Sequence, residues 1–429
     1  MSQPSTELSG AVLPIGCSIE EIDHRLFGSP EDRLDERHQG SGTPQIVSHY
    51  PNEHVTNSGV ISPEAAVSKQ RAGQIEALAQ IDSNPTLAVI FCEVGGKVPD
   101  DVESYKRQIA NHTNSLNGET KDVDGKTATV ESKVVELTTG VDLETLAPKA
   151  GEIQHGLRTI LVHCKNEQEA AERAAELNAA EWINTVLVLN PTGSDSGLKE
   201  ILSCISYEKE VDGLKQMMAG RLERVQNFLS RILTGKRLYT QITPEAMVNM
   251  YEYASGSKVT EAIPGEIAVL GNGVIGKGVI QELRRRGHRV PRHRTLRTRE
   301  QVTNYAQSLR GVHLTGVFSA VRANTEFIDL QEFSPPPGEA VNVIDASCAR
   351  RTDGTIGGSV KLDTRGPRRH ASSPVNGLGH ETTSILVERT IAAKIAQGPE
   401  AQEPTPRKSR IYVSIGLLAT QPSKEHETV

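Results

Sequence analysis

Glu266-Ile267-Ala268-Val269-Leu270-Gly271-Asn272-Gly273-Val274-Ile275-Gly276-Lys277-Gly278-Val279-Ile280-Gln281-Glu282-Leu283 is the stretch that decides the fold. Five mostly apolar residues predict a buried strand, the glycines a tight turn, and Val279, Ile280 and Leu283 the inner face of a helix. In that context each glycine has a physical job. Gly271 permits the turn, Gly273 lets backbone approach a pyrophosphate, and Gly276 lets helix and strand pack closely. The helix start, with Asn272, Val274 and Ile275 around it, offers unpaired N–H groups to an anion. A structural glycine turn is the plainer alternative.

About twenty residues past the first glycine, a chain that binds NAD presents a carboxylate to the ribose hydroxyls. No carboxylate stands between Glu282 and Glu300, and the chain instead reads Arg292-His293-Arg294. Guanidinium groups there suit a 2′-phosphate, so the expected cofactor is NADP, with NAD possible. The alternative is a solvated basic face. Nucleic acid is not an expected partner, because aromatic residues are not interleaved with the arginines.

From Glu266 onward, short strands alternate with helices, the texture of a Rossmann-type dinucleotide-binding domain. A second α/β texture precedes it. A helix is predicted over 63–81, strands at Leu87–Phe91 and 156–162, and a helix over 166–179. The apolar run Val186-Leu187-Val188-Leu189 then leaves its sheet through Asn190-Pro191-Thr192-Gly193, at the carboxyl end, where parallel sheets bind ligands. The acidic turn Lys209-Glu210-Val211-Asp212-Gly213-Leu214 follows. The expected class is therefore α/β with two domains, an N-terminal α/β substrate domain and a C-terminal Rossmann-type domain.

The expected boundaries are a loosely docked extension over 1–60, a substrate domain over 61–242 and a dinucleotide domain over 243–381, opened by Thr243-Pro244. A helix is expected over 382–397, and a tail occupies 398–429, with Ile411–Ile415 a strand or a partner-facing segment. Residues 118–140 read as a polar insertion whose Asp122-Val123-Asp124-Gly125 is a surface turn.

With 429 residues there is room for two ordinary cores, which aliphatic side chains must fill because aromatics make up 3%. A net charge of −7 gives no global pull towards nucleic acid or anionic membrane. Cys17, Cys92, Cys164, Cys204 and Cys348 lack metal or disulfide spacing and read as small buried hydrophobes of a reducing compartment. No metal site is expected. Without a basic leader or a run of about twenty apolar residues, a cytoplasmic location is expected, with no membrane partner.

Several segments resemble the methylenetetrahydrofolate dehydrogenase/cyclohydrolase family over roughly residues 85–395. The strand ending at Leu189 and Pro191 resembles its Gln-Leu-Pro-Leu-Pro-like loop, and Lys209–Leu214 its Lys-Asp-Val-Asp-Gly-Phe turn. Ala219-Gly220-Arg221-Leu222 resembles its Asn-x-Gly-Arg-Leu-like element. Gly316–Val321 and Val341–Asp345 resemble two of its cofactor-domain strands, and Ser373–Thr383 its Thr-Pro-Val-Pro-Gly-Gly-Val-Gly-Pro-Met-Thr loop. At the glycine turn the family reads Gly-Arg-Ser-x-Ile-Val-Gly, so this chain departs towards the general dinucleotide form.

The resemblance implies a tetrahydrofolate-type one-carbon substrate and a homodimer, and that the helix over 382–397 packs back on the first domain. It implies that Asp212 accepts hydrogen bonds from the pterin, with Tyr105 beside it, and that Leu189, Pro191, Pro374, Val375 and Asn376 line the substrate. Ala320, Val321, Gly377, Gly379 and Thr382 fall to the cofactor. His380 and Glu381 replace the family's Pro-Met pair.

The family's hydrolytic glutamine falls on Leu189. Its lysine, four residues after the tyrosine, falls on Ile109 if Tyr105 is the tyrosine, or on Ala147 if Leu143 stands there. Lys106 and Lys149 are near misses. Oxidising a methylene adduct requires orientation, whereas hydrolysing the resulting cation requires proton transfer. The expectation is a dehydrogenase without cyclohydrolase activity. Alternatives are the bifunctional enzyme, an NADP-dependent imine or iminium oxidoreductase, and a non-catalytic cofactor-binding sensor.

Overall fold

The computed structural model describes residues 54–397 apart from 82–83, 123, 139, 149–154, 191, 220–238, 257–265, 272, 289, 291, 295–298, 322–327, 336–338, 348, 351–355 and 373–376. The strands are β1 Val60–Ile61, β2 Thr86–Cys92, β3 Gly118–Lys121, β4 Thr127–Val130, β5 Lys133–Leu137, β6 Arg158–Cys164, β7 Thr185–Val188, β8 Glu266–Leu270, β9 Arg292–Arg294, β10 Leu314–Ser319, β11 Val341–Asp345, β12 Ala349–Arg350, β13 Ile356–Gly357 and β14 Arg369–Ser372. The helices are α1 Glu64–Ala79, α2 Asp100–Ser115, α3 Glu167–Ala179, α4 Asp195–Ser203, α5 Leu214–Met218, α6 Ile242–Ser255, α7 Val274–Arg285, α8 Arg299–Ser308 and α9 Leu378–Ala396.

Two parallel sheets organise the molecule. The first has the order β5-β6-β2-β7 and the second β1-β14-β11-β10-β8-β9. Parallel strands need covering on both faces, which is why all seven residues of β2 are buried. Ala88, Ile90 and Cys92 pack with Ala170, Ala174 and Leu177 of α3 and Leu198, Ile201 and Leu202 of α4. Leu87, Val89 and Phe91 point the other way, against Val102 and Ile109 of α2, Ala246 of α6 and Ile385 and Leu386 of α9. In the second sheet Val269, Phe318 and Ile344 pack on Met247 and Tyr251 of α6. Helices α6 and α9 thus supply cover where the chain passes between the sheets.

Some sequence expectations change. The hairpin β3–β4 is a surface excursion, and Asp122 closes its turn by accepting from the N–H groups of Asp124 and Lys126 at 3.0 and 2.8 Å. The rest of the presumed insertion is structural, because Lys133–Leu137 extends the first sheet parallel to β6. Its polar look reflects an edge position, where only part of the strand is buried. Residues 54–60 are also docked. Val55 bridges Ile61, and Val60–Ile61 adds to the second sheet beside β14. Residues 1–53 and 398–429, including the Ile411–Ile415 segment, lie outside the described residues. Cys92 and Cys164 are buried register partners on β2 and β6, and burial pushes each thiol up to about 12, as expected of inert small hydrophobes. Cys204 is half-buried, while Cys17 and Cys348 fall outside the described residues.

Helix α7 is tied to α6 by buried charges. Arg286 donates to Glu252 at 2.5 Å, Glu282 at 2.7 Å and Asn249 at 2.8 Å, and His288 meets Glu252 at 2.9 Å. A buried pair adds little net stability when intact, but removing one partner strands the other. Glu252→Ala is therefore expected to lower stability by about 3 kcal/mol, read from the urea midpoint. A change below about 0.5 kcal/mol would show that Glu282 alone satisfies Arg286.

Candidate cofactor and substrate sites

The turn after β8 is shaped by what a Cβ would meet. Gly271 has φ +99°, and a side chain there would approach the Ala320 carbonyl to 2.8 Å. At Gly276 a Cβ would lie 2.2 Å from the Gly271 carbonyl oxygen. Gly273 faces open space, with nothing within 4 Å of an added Cβ. Two glycines close the turn, and the third leaves a clear approach to the start of α7. This cradle fits a dinucleotide diphosphate.

Ala320 and Val321 lie against the same turn, Ala320 donating to the Leu270 carbonyl at 2.8 Å. Ile275 is half-buried against the α6 face, and Val274 is 46% exposed at the turn's mouth. Strand β9 runs beside β8 and brings the Arg294 backbone level with Leu270, one residue before the turn. Asn272 and the side chains of Arg292, His293 and Arg294 lie outside the described residues. Beyond the strand ends, Asp345 accepts from Ser347 N–H and Ser359 Oγ at 2.9 Å and from Ser359 N–H at 2.6 Å, which ties β11 to the loop facing β10.

On the other side, Tyr105, Asp212 and Thr382 come together. Tyr105, on α2, lies beside Thr382 of α9 and within electrostatic reach of Asp212. Burial pushes the Tyr105 phenol up and also raises the Asp212 carboxyl, against the opposing pull of the Ile242 N–H and the Arg389 guanidinium. Asp212 Oδ1 accepts from Ile242 N–H at 3.2 Å. The turn itself is capped by Glu210, whose Oε1 accepts from the N–H groups of Asp212 at 3.1 Å and Leu214 at 3.3 Å. Burial, then the neighbouring Asp212, pushes Glu210 up to about 8. Lys209 caps α3 instead, donating to the carbonyls of Asn178 and Ala180 at 2.8 Å.

Of the two positions on which the resemblance puts the lysine, Ile109 is buried in the apolar cluster that holds Tyr105 and Leu189. For the other register, Leu143 sits on a 3-10 turn in the cluster on the opposite sheet face. Lys106 pairs with Glu103 at 2.9 Å and lies 5.0 Å from the Phe91 ring centroid. The cation acting on Tyr105 and Asp212 is Arg389. Lys149, Pro191, Pro374, Val375, Asn376 and Gly220–Leu222 lie outside the described residues.

Gly377 precedes α9, and Gly379 lies so close to Gln108 that a Cβ would sit 1.8 Å from its Oε1. Thr382 donates to the Gly379 carbonyl at 2.8 Å. Glu381 is fully buried and turned towards α6, accepting from Asn249 at 2.6 Å and from the Tyr253 hydroxyl at 3.1 Å. It anchors the loop to that helix. His380 is half-buried, and burial lowers it against the pull of Glu64. Sequence reading gave no role to Glu210, although it lies inside the quoted turn. Arg389 carried no motif signal at all, because its partners come from three distant segments.

Two predictions follow from these geometries. Gly273→Ala has room for its methyl group, so its ligand-free melting temperature should match wild type while NADP-induced stabilisation is lost. Retained stabilisation would mean that the turn does not meet the cofactor. Glu210 keeps its proton up to about 8, whereas an ordinary glutamate releases it near 4.5, so the folded state holds the extra proton between these values. Its contribution to stability is present below the lower value and is lost as pH rises through the upper one. The urea midpoint of Glu210→Gln relative to wild type should therefore increase from pH 5 to pH 8.5 (about two denaturation series suffice). A difference independent of pH would contradict the shift.

No family model matches the chain. It is similar to the bifunctional protein FolD of Anoxybacillus flavithermus, with 26% identity over 245 residues, covering 56% of this chain and 77% of that protein. It is likewise similar to the FolD of Aromatoleum aromaticum, with 27% identity over 245 residues, covering 55% and 76%. The fold is similar to that of the FolD methylenetetrahydrofolate dehydrogenase/cyclohydrolase of Campylobacter jejuni, with TM-score 0.53, 16% identity and coverage of 79% and 98%. Similar too is the Trypanosoma brucei enzyme complexed with NADP and inhibitor, with TM-score 0.54, 18% identity and coverage of 80% and 98%. The NAD-dependent methylenetetrahydrofolate dehydrogenase of Saccharomyces cerevisiae gives TM-score 0.53, 11% identity and coverage of 81% and 100%. The resemblance carried by the motifs thus extends to the mixed α/β fold and its parallel sheets, and the chain is similar in sequence to the FolD proteins.

Proposed function

We propose that the protein is an NADP-dependent methylenetetrahydrofolate dehydrogenase without cyclohydrolase activity. The single observation that carries this reading is the pairing of an open glycine turn with a Tyr105–Asp212–Thr382 cluster whose hydrolytic positions are hydrocarbon. In this reading the sheet containing β2, β6 and β7 is the core of a substrate domain, roughly 61–242. The sheet containing β8, β10 and β11 is a Rossmann-type domain, roughly 243–381, joined by the edge strand β1. The family's homodimer and a cytoplasmic location belong to the same proposal. Among the described residues no helix is long and apolar enough to cross a membrane.

Asp212 orients the pterin by accepting its amino and ring N–H groups, the carboxylate oxygen not taken by Ile242 being the one available. Tyr105, beside Thr382, flanks the ring. When bound, NADP supplies the hydride acceptor, and Gly271, Gly273, Gly276 and the start of α7 hold its diphosphate. Removing hydride from the methylene carbon leaves a delocalised cation, which needs no base. Ring opening by water does need proton transfer, and Leu189 and Ile109 can neither donate nor accept. The cation is therefore released intact. NADP rather than NAD is supported by the Arg294 backbone standing beside Leu270, where a carboxylate would otherwise select the ribose hydroxyls.

The test follows reduced cofactor and the methenyl chromophore together. The expected outcome is equimolar accumulation, with methenyl decay no faster than in buffer, and loss of turnover by about a hundredfold or more in Asp212→Ala. Rapid enzyme-dependent decay would overturn the monofunctional reading. The apolar lining at Leu189 and Ile109 also suits another amine that oxidises to an iminium. In that case a pterin would not compete with the substrate.

A further inference from the structure

We propose that Arg389, on α9, is a positioning residue for Asp212, because its guanidinium staples together the two backbone segments between which that carboxylate is held. This inference rests on the functional reading above. One segment ends in Val211, the residue before Asp212, and its carbonyl accepts from Arg389 Nη1 at 2.7 Å. The other contains Thr240, whose carbonyl accepts from the same nitrogen at 2.6 Å. Two residues on, the Ile242 N–H reaches Asp212 Oδ1 at 3.2 Å. One planar group therefore spans both walls of the carboxylate's seat.

The fork is itself fixed on three sides. Nη2 donates to Glu245 Oε2 at 2.5 Å, the guanidinium carbon lies 5.0 Å from the Tyr239 ring centroid, and the Tyr239 hydroxyl donates to the Arg389 carbonyl at 3.2 Å. Arg389 is 9% exposed, and the Glu245 carboxylate offsets its charge. The walls are in direct contact as well. A Cβ on Gly213, next to Asp212, would come within 2.4 Å of the Tyr239 and Thr240 backbone. Holding two carbonyls and a carboxylate at once calls for donors in fixed, coplanar directions. A lysine ammonium, a single point on a flexible stem, cannot reproduce that set.

Steady-state kinetics of Arg389→Lys with methylenetetrahydrofolate and NADP tests the assignment. The KM for the folate should rise about tenfold, the scale of losing one charged hydrogen bond, with a smaller fall in kcat and an unchanged KM for NADP. In Arg389→Ala, added guanidinium ion should lower the folate KM again, whereas sodium chloride at equal ionic strength should not. A folate KM left at the wild-type value overturns the positioning role. So does a parallel rise in both KM values, which is what general loosening of α9 would produce through Gly379 and Thr382. If neither Arg389 variant folds, Glu245→Gln decides, with a rise in folate KM of about threefold supporting the role and no rise overturning it. Wild type that does not turn over methylenetetrahydrofolate overturns the functional reading itself. Turnover by wild type with an unshifted Arg389→Lys overturns the positioning role alone.

Discussion

Everything in this molecule depends on α9 being covered over most of its length by the first sheet and by helices α1, α2 and α6. Its apolar residues Ile385 and Leu386 close the inner face of β2 and β7, while Val387 and Ile391 pack with Leu78 of α1 and Leu157 beside β6. Its polar residues would be costly in such surroundings without partners, and each partner is distant in sequence. Thr390 meets Thr185 at 2.8 Å, Ser384 accepts from Gln74 at 3.0 Å, and Glu381 takes Asn249 and Tyr253. Arg389 takes the segments at 211 and 240. A helix with apolar and polar faces both buried has one acceptable docking position.

That docking sets the distance between the two candidate sites. Thr382 lies one turn into α9 beside Tyr105, while Gly379, in the same first turn, packs against Gln108 of α2. Helix α6 performs the complementary task from the other direction. Its start donates to Asp212 through the Ile242 N–H, its middle holds Glu381 through Asn249, and the same Asn249 accepts from Arg286 at the end of α7 at 2.8 Å. Buried polar groups with several partners each cannot shift singly, so the elements framing the cleft are held as one connected set.

In the proposed reading, hydride removal asks the protein for orientation, which Asp212 and Tyr105 supply, while hydrolysis asks for a proton path, which the buried hydrocarbon of Ile109 and Leu189 does not offer. Glu210 and Glu381 add two further buried carboxyls, the first accepting from backbone N–H groups and the second, through Oε1, from side chains of α6.

Local pattern alone determined the strands β2, β7, β8 and β10, the glycine turn and the acidic turn, because each is written in contiguous residues with a fixed period or spacing. The parallel sheets were legible for the same reason. Tertiary structure alone decided what depends on residues far apart. It turned Lys133–Leu137 from apparent surface into sheet edge and drew Val60–Ile61 beside β14. It seated Ile109 of α2 in the apolar cluster beside Tyr105, buried Glu381 against α6, and brought Arg389 to the turn carrying Asp212 from a segment far along the chain. Those outcomes follow from satisfying buried donors and acceptors across the fold, a requirement that no single segment carries in its own sequence.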